Sequence, residues 1–84
     1  MSIKVCLLDA GELTPRESEV FVLIARGLDD KRIARQLEVS TKTVSAHCDR
    51  IYQKMQARRD DGNARVFVVA KALAKGMISI TEGD

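Results

Sequence analysis

The chain has few of the residues on which metal sites and cross-linked folds depend. It contains two cysteines, one histidine, one proline and no tryptophan among 84 residues. Cys6 and Cys48 lie far apart, and one histidine leaves a zinc site without enough ligands. We therefore expect no metal, and we expect both cysteines to be reduced packing residues. Cys48 lies on an apolar helical stripe, which favours burial over redox sensing.

Long apolar runs and leader sequences are also absent. No stretch approaches the roughly 18 apolar residues that span a membrane, and no charged, then apolar, then small-residue leader opens the chain. These absences predict a soluble, cytoplasmic protein with no membrane partner. The length of 84 residues predicts one small domain, near the lower size limit for folding without disulfides or metal. A partner subunit would therefore help to stabilise it.

The sequence shows none of the arrangements that enzymes need. It has no Gly-rich phosphate loop, no metal set and no nucleophile arrangement. His47 as a base would need a nucleophile and an orienting carboxylate, but Thr43, Ser45 and Asp49 share its helix and point in different directions. We expect no catalytic activity, no cofactor and no small-molecule ligand.

Positive charge is concentrated in one segment of a nearly neutral chain. The net charge is only +2, too small to indicate nucleic acid by itself. Residues 40–59, however, hold five basic side chains against the acidic Asp49; the basic ones are Lys42, Arg50, Lys54, Arg58 and Arg59. This clustering is typical of an element that contacts phosphates, although a solvated helix face is an alternative.

The segment 40–56 predicts a helix with one apolar and one polar face. Helical spacing joins Val44, Cys48, Ile51 and Met55, which should face a core. A short second stripe, Ile33, Ala34 and Leu37, precedes it across a corner of three residues. Two helices joined by so tight a corner indicate a helix-turn-helix.

Capping signals predict four helices. Thr14, Pro15 and Glu17 form a capping box before a helix over 15–26, and Gly27 should end it. Asp29 or Asp30 caps a second helix that ends near 37, and Ser40 caps the third. Residues 58–63 read as a loop before a fourth helix over about 64–75, ended by Gly76. Residues 1–12 form an N-terminal arm or strand, and 81–84 a tail.

The fourth helix has more apolar surface than one core contact requires. We expect its core-facing side to be Val66, Val69, Ala70 and Leu73, followed by Met77. The remaining apolar surface predicts pairing with a second copy through Phe67, Val68, Lys71 and Ala72. Alternatively, the arm covers this surface through Ile3, Val5 and Leu7.

Several spaced segments together resemble the LuxR/GerE-type DNA-binding domain. They are Leu-Thr-Pro-Arg-Glu at 13–17, Ala-Arg-Gly at 25–27, Ile-Ala-Arg-Gln-Leu at 33–37, Val-Ser-Thr-Lys-Thr-Val at 39–44, and Ile-Tyr-Gln-Lys-Met at 51–55. The match is nearly continuous over 13–58 and resumes weakly over 65–78. Region four of sigma factors shares part of the pattern, but the spacing of Thr43-Val44 and His47 favours the LuxR type.

The resemblance implies an all-α, four-helix domain at 13–80, whose third helix enters the major groove and whose fourth pairs two protomers. It implies base reading by Ser45, Ala46 and Asp49. The phosphate contacts it implies are Ser40, Lys42, Thr43, His47, Arg50, Lys54 and Arg58.

Three departures from the family pattern bear on this inference. Ser45 and Asp49 stand where relatives often carry Lys or Arg, so a bidentate contact to guanine is not available from them. The second helix opens Asp30-Lys31-Arg32 in place of Asn-Lys-Glu. The loop before the fourth helix is several residues longer, which affects the expected dimer geometry.

The leading hypothesis is a stand-alone bacterial transcriptional regulator that binds double-stranded DNA as a homodimer. The alternative is a protein-interaction module that antagonises or modulates another regulator or RNA polymerase. Asp49 on the groove face and the weak net charge favour that alternative.

Overall fold

The computed structural model of the chain describes residues 2–57 and 63–83. Its elements, in chain order, are β1 (Ser2–Leu7), α1 (Pro15–Ala25), α2 (Asp30–Leu37), α3 (Thr41–Lys54), α4 (Ala64–Ala74) and β2 (Ile78–Gly83). None of the described helices has the length and apolar content needed to cross a bilayer. The expected Arg58 contact and most of the inserted loop lie outside the described residues.

Local capping explains where the first three helices begin. Thr14 Oγ1 accepts the backbone N–H of Glu17 at 3.1 Å, and Glu17 Oε1 accepts that of Thr14 at 2.9 Å, which confirms the capping box. Asp29 caps α2 by accepting the backbone N–H of Arg32, and Ser40 caps α3 by accepting that of Thr43. Gly27 follows α1 with φ +93°, a conformation in which glycine is favoured.

The core forms where α1, α2 and α3 meet and is closed by one side of α4. The expected stripes of α1 and α3 are confirmed, because Val20, Val44 and Ile51 are fully buried. Phe21 is also fully buried, although the sequence did not single it out. The corner between α2 and α3 is made by Glu38, which takes a left-handed conformation with φ 58°.

The predicted orientation of α4 is wrong. Val68 and Ala72 are fully buried, whereas Val66 is 61% exposed and Leu73 is 44% exposed. Two of the four residues expected to contact a second copy therefore pack inside the chain. Because α4 is apolar almost all round, its pattern gave two nearly equivalent choices of inner face.

The all-α prediction also needs correction, because the two ends of the chain form a small sheet. β1 and β2 pair antiparallel, with Ser2 opposite Gly83 and Leu7 opposite Ile78. The N-terminal arm is thus a strand, and the residues expected to be a tail belong largely to its partner. Ile78 is buried and anchors the sheet on the core. Cys48 is buried as expected, whereas Cys6 is exposed on β1 rather than packed.

Candidate nucleic-acid interface

The candidate interface is the outer face of α3, and the packing of the inner face determines which side chains reach it. Val44, Cys48, Ile51 and Tyr52 are buried. Helical geometry then directs the intervening residues outward. Lys42, Thr43, Ala46, Arg50 and Gln53 are exposed, and Ser45, His47 and Asp49 are partly exposed.

The three residues expected to read bases are together on this outer face. Ala46 is exposed, and Ser45 and Asp49 lie beside it with intermediate exposure. Ser45 and Asp49 are four positions apart and so lie on adjacent turns of α3. None of the three is enclosed by the rest of the chain, so the face is open to a partner.

The N-terminus of α3 carries two hydroxyl groups in contact. Ser40 Oγ accepts the backbone N–H of Thr43 at 3.1 Å and lies 3.0 Å from Thr43 Oγ1. If Ser40 donates to Thr43, the Thr43 hydroxyl keeps its own proton for an outside acceptor. Lys42 is exposed in the same first turn. This turn therefore combines hydroxyl and ammonium donors at the positive end of the helix dipole.

Lys54 differs from the other expected phosphate contacts because it has an internal partner. Its ammonium donates to Glu17 Oε1 at 2.6 Å, and the Glu17 side chain is only 4% exposed. Burial acts to raise the pKa of the Glu17 carboxyl, but hydrogen bonds from Lys54 and from the backbone of Thr14 outweigh it, so the pKa is lowered. This pair joins the end of α3 to the start of α1.

His47 is held with one ring nitrogen inward. Its Nδ1 is enclosed and has no hydrogen-bond partner among the described residues. The residue is partly exposed, which leaves Nε2 as the nitrogen that an outside group could meet. No cluster of three or more potential metal ligands occurs in the described part of the chain.

Two basic side chains that sequence reasoning did not connect to α3 fix how α4 sits against the helix-turn-helix. Arg65 donates to Asp30 Oδ1 at 2.8 Å and to the carbonyl of Leu28 at 2.5 Å. Lys71 donates to the carbonyl of Met55, the residue that ends α3, at 2.7 Å. All three bonds join residues distant in sequence, so no local pattern could have predicted them.

A groove of about 520 Å³ lies between the end of α1 and the outer side of α4. Its apolar lining includes Ile24, Val66, Val69 and Leu73. Phe67 is adjacent in sequence and 48% exposed. This apolar surface differs in character from the polar outer face of α3.

The tight corner between α2 and α3, supported by α1 and flanked by α4, defines a helix-turn-helix domain. Residues 11–67 match the family described as bacterial regulatory proteins, luxR family. The match covers more than half of the chain, and the chain belongs to this family.

Curated relatives carry the names of bacterial regulators. The nitrate/nitrite response regulator protein NarL of Escherichia coli (strain K12) is 42% identical over 50 residues, which cover 60% of this chain and 23% of that protein. The transcriptional regulatory protein YdfI of Bacillus subtilis (strain 168) is 39% identical over 69 residues, covering 82% and 30%. The chain thus spans less than a third of the length of these two relatives.

Proposed function

We propose that the chain is a sequence-specific DNA-binding transcriptional regulator that places α3 in the major groove and acts as a homodimer. The observation that carries this proposal is the open outer face of α3, where Ala46 and Arg50 are exposed beside partly exposed Ser45. A helix that presents small and basic side chains outward, while its apolar side is buried, suits a groove lined by phosphates. Membership of the luxR family supports the same conclusion.

Base reading is assigned to Ser45, Ala46 and Asp49. Ser45 can donate or accept, Ala46 can contact a thymine methyl group, and Asp49 can accept from the amino group of cytosine. None of these is the bidentate guanine contact that Arg or Lys supplies. Specificity is therefore expected to depend partly on the shape and deformability of the DNA.

Phosphate binding is assigned first to Lys42, Thr43 and Arg50. Lys42 and Arg50 are exposed cations on α3, and Thr43 has a hydroxyl beside the helix N-terminus. Ser40 contributes chiefly by holding this turn. His47 would bind through Nε2, and Arg58 keeps its assignment from the sequence. Lys54 can approach phosphate only while it shares or leaves its bond to buried Glu17.

A salt titration of binding to random duplex DNA tests this assignment. Lys42→Ala should weaken binding to all sequences and reduce the slope of log affinity against log salt by about 0.9, the value for one lost phosphate contact. Lys4→Ala is the matched control, because it removes the same charge from β1, an element that packs on α1 and β2. Lys54→Ala is a poorer choice because it leaves the buried Glu17 carboxylate unpaired.

Two results would count against DNA binding through α3. If the wild-type chain shows no salt-sensitive affinity for random duplex, the alternative of a module that binds another regulator or RNA polymerase is favoured. If Lys42→Ala and Lys4→Ala change the salt slope equally, α3 is not the docking element.

The homodimer is assigned to the exposed side of α4 rather than to the face expected from the sequence. Val66, Phe67 and Leu73 are large apolar side chains exposed on one helix, next to the groove formed with α1. Lys71 lies 5.8 Å from the centroid of the Phe67 ring, at the margin of this face. Apolar surface of this kind supports a protein contact.

Sedimentation of variants of the 84-residue chain tests the α4 contact. Val66→Glu places a charge in the proposed interface and should weaken dimers on palindromic DNA at least tenfold, since it buries an unpaired carboxylate. Glu82→Gln changes charge on the sheet and should leave the dimer unchanged. Equal dimerisation of both variants would exclude the α4 face.

A further inference from the structure

β1 is a second place where the chain offers an interaction surface. Five of its six residues are exposed, and only Val5 is half-buried against the core. Both strands contact a helix, β1 with α1 and β2 with α4, and each has one edge that does not pair with the other strand. Only two of the six residues of β2 are exposed, and Ile78 at its start is buried. The outer side of β1 is therefore the more open edge of the sheet. Ile3 remains 47% exposed and Leu7 38% exposed on the same side of the strand as Val5.

One hydrogen bond determines which backbone groups face that open edge. The N–H of Leu8 donates to the carbonyl of Met77 at 2.7 Å, directly beyond the pair of Leu7 and Ile78. In an antiparallel ladder, bonded and non-bonded pairs alternate. Even-numbered residues of β1 therefore bond to β2, and the odd-numbered ones direct their N–H and C=O groups outward. No described turn, loop or side chain hydrogen-bonds to these outward groups of Ile3, Val5 and Leu7.

We propose that β1 pairs antiparallel with β1 of a second copy of this chain, on a two-fold axis that passes through Val5. The pairing would extend the two-stranded sheet to four strands across the axis. It would satisfy the outward backbone groups of Ile3, Val5 and Leu7 in both copies. A symmetric contact of this kind closes after two protomers. The surface is separate from α4, so the proposal does not depend on the α4 dimer or on DNA binding.

The side chains of β1 favour a two-fold axis through Val5 over one through Lys4 or Cys6. An axis through Val5 places Ile3 opposite Leu7 of the other copy and extends one apolar stripe across both strands. An axis through Lys4 would set two ammonium groups directly opposite each other, which is destabilising. An axis through Cys6 would place Ile3 opposite the charged Asp9. The strand is thus self-complementary in one register, which is why a second copy fits it better than an unrelated strand.

The register can be tested by cross-linking the full chain. In the proposed pair, position 4 lies directly opposite position 6 of the other copy, in a non-hydrogen-bonded pair with Cα atoms about 4.5 Å apart. That spacing suits a disulfide. Lys4→Cys should therefore form a covalent dimer with native Cys6 under mild oxidation, and Cys48 is buried and should not compete.

Two controls make the cross-link specific to the register. The wild-type chain carries only Cys6 on β1, and the double variant Lys4→Cys, Cys6→Ser carries only the introduced thiol. In each control, the thiol on β1 can meet only the thiol at the same position of the other copy. These two positions are diagonal neighbours about 7–8 Å apart, beyond the reach of an unstrained disulfide. Both should cross-link at least tenfold more slowly. Equal rates in all three proteins would overturn the proposed register.

Sedimentation without DNA tests the pairing itself. Measurements in a Val66→Glu background weaken association through α4, so that any remaining association depends mainly on β1. Ile3→Ala keeps the outward N–H, whereas Ile3→Pro removes it from both copies at once. The loss of two symmetric hydrogen bonds should raise the dimer dissociation constant about tenfold for Pro relative to Ala. Circular dichroism checks that both variants fold, and Ile3 is exposed enough that they should.

The outcomes are separable from those of the proposed function. A Val66→Glu chain that remains monomeric up to about 1 mM would overturn the β1 contact, whatever its affinity for DNA. Equal dissociation constants for the Ala and Pro variants would also overturn it, because the contact would then not use the strand backbone. A chain that pairs through β1 but does not bind DNA supports this inference and contradicts only the assignment of α3.

Discussion

α3 and α4 are both packed helices, yet they leave opposite kinds of surface outside the core. α3 buries four side chains and presents mainly polar and cationic groups, including Lys42 and Arg50. α4 buries Ala64, Val68 and Ala72 and leaves large apolar side chains exposed. In both helices the buried side chains lie on one side and the exposed ones on the other. The chemistry of the outer side distinguishes a surface suited to a phosphate backbone from one suited to another protein.

The two helices are also held together, so the two surfaces have a defined relation. Lys71 of α4 donates to the carbonyl of Met55 at the end of α3, where the helix dipole is negative. Arg65 joins the start of α4 to Asp30 at the start of α2. A homodimer formed through α4 would therefore present its two copies of α3 in a fixed arrangement, as a two-fold symmetric DNA site requires.

The largest expected effect comes from shortening one buried side chain of α3 and one exposed side chain of α4, and comparing the losses of stability. Ile51→Ala removes a fully buried side chain of α3 and should lower the free energy of unfolding by about 2–5 kcal/mol. Val66→Ala removes a side chain of α4 that is 61% exposed and should change it by less than about 0.5 kcal/mol. Urea denaturation of dilute protein measures both. Similar losses for the two variants would mean that the outer side of α4 is packed within the monomer.

A smaller effect is expected where α3 joins α1. Glu17→Gln removes the charge that pairs with Lys54 and should cost about 1–3 kcal/mol at pH 7. The pKa of Glu17 is lowered in the folded chain from its ordinary value of 4.5. The extra free energy of unfolding of the wild-type chain should therefore be fully present above pH 4.5, and it should decline as the pH falls through the lower pKa of the folded state. Denaturation of both proteins at several pH values measures the difference. A difference that stayed constant into acid would show that the carboxylate charge does not contribute.

The smallest of the three effects concerns the bond from α4 to the end of α3. Lys71→Met keeps the aliphatic length but removes the donor to Met55, and should cost about 0.5–1.5 kcal/mol. Lys75→Met is the control, because Lys75 is exposed one turn further along. Thermal melts compare the two. If the two variants have the same melting temperature, Lys71 does not stabilise the end of α3.

The sequence predicted α1 to α3 well because their signals are local. Thr14, Asp29 and Ser40 each cap a helix within three residues, and the apolar spacing of α3 allows only one inner face. For α4 the spacing allowed two faces, and choosing between them required knowing what packs against the helix. The sheet was not predicted, because Ser2 and Gly83 pair across nearly the whole chain.

In the candidate site, too, the features set by local signals could be predicted and those set by distant contacts could not. The outward position of Ala46 and Arg50 followed from the stripe on the opposite side of α3. The partner of Lys54 did not, because Glu17 is 37 positions away and is buried by contacts that only the fold brings together. Non-local ion pairs of this kind decide which cations remain available to a ligand, and a sequence pattern does not contain that information.

The pairing of Ser2 with Gly83 also has a mechanical consequence. Because β1 and β2 run antiparallel, a tether at each end of the domain would pull at the same end of the ladder. Force would then break the hydrogen bonds between β1 and β2 one pair after another, instead of loading all of them together. The sheet should peel away at low tension and leave the helices beneath it folded.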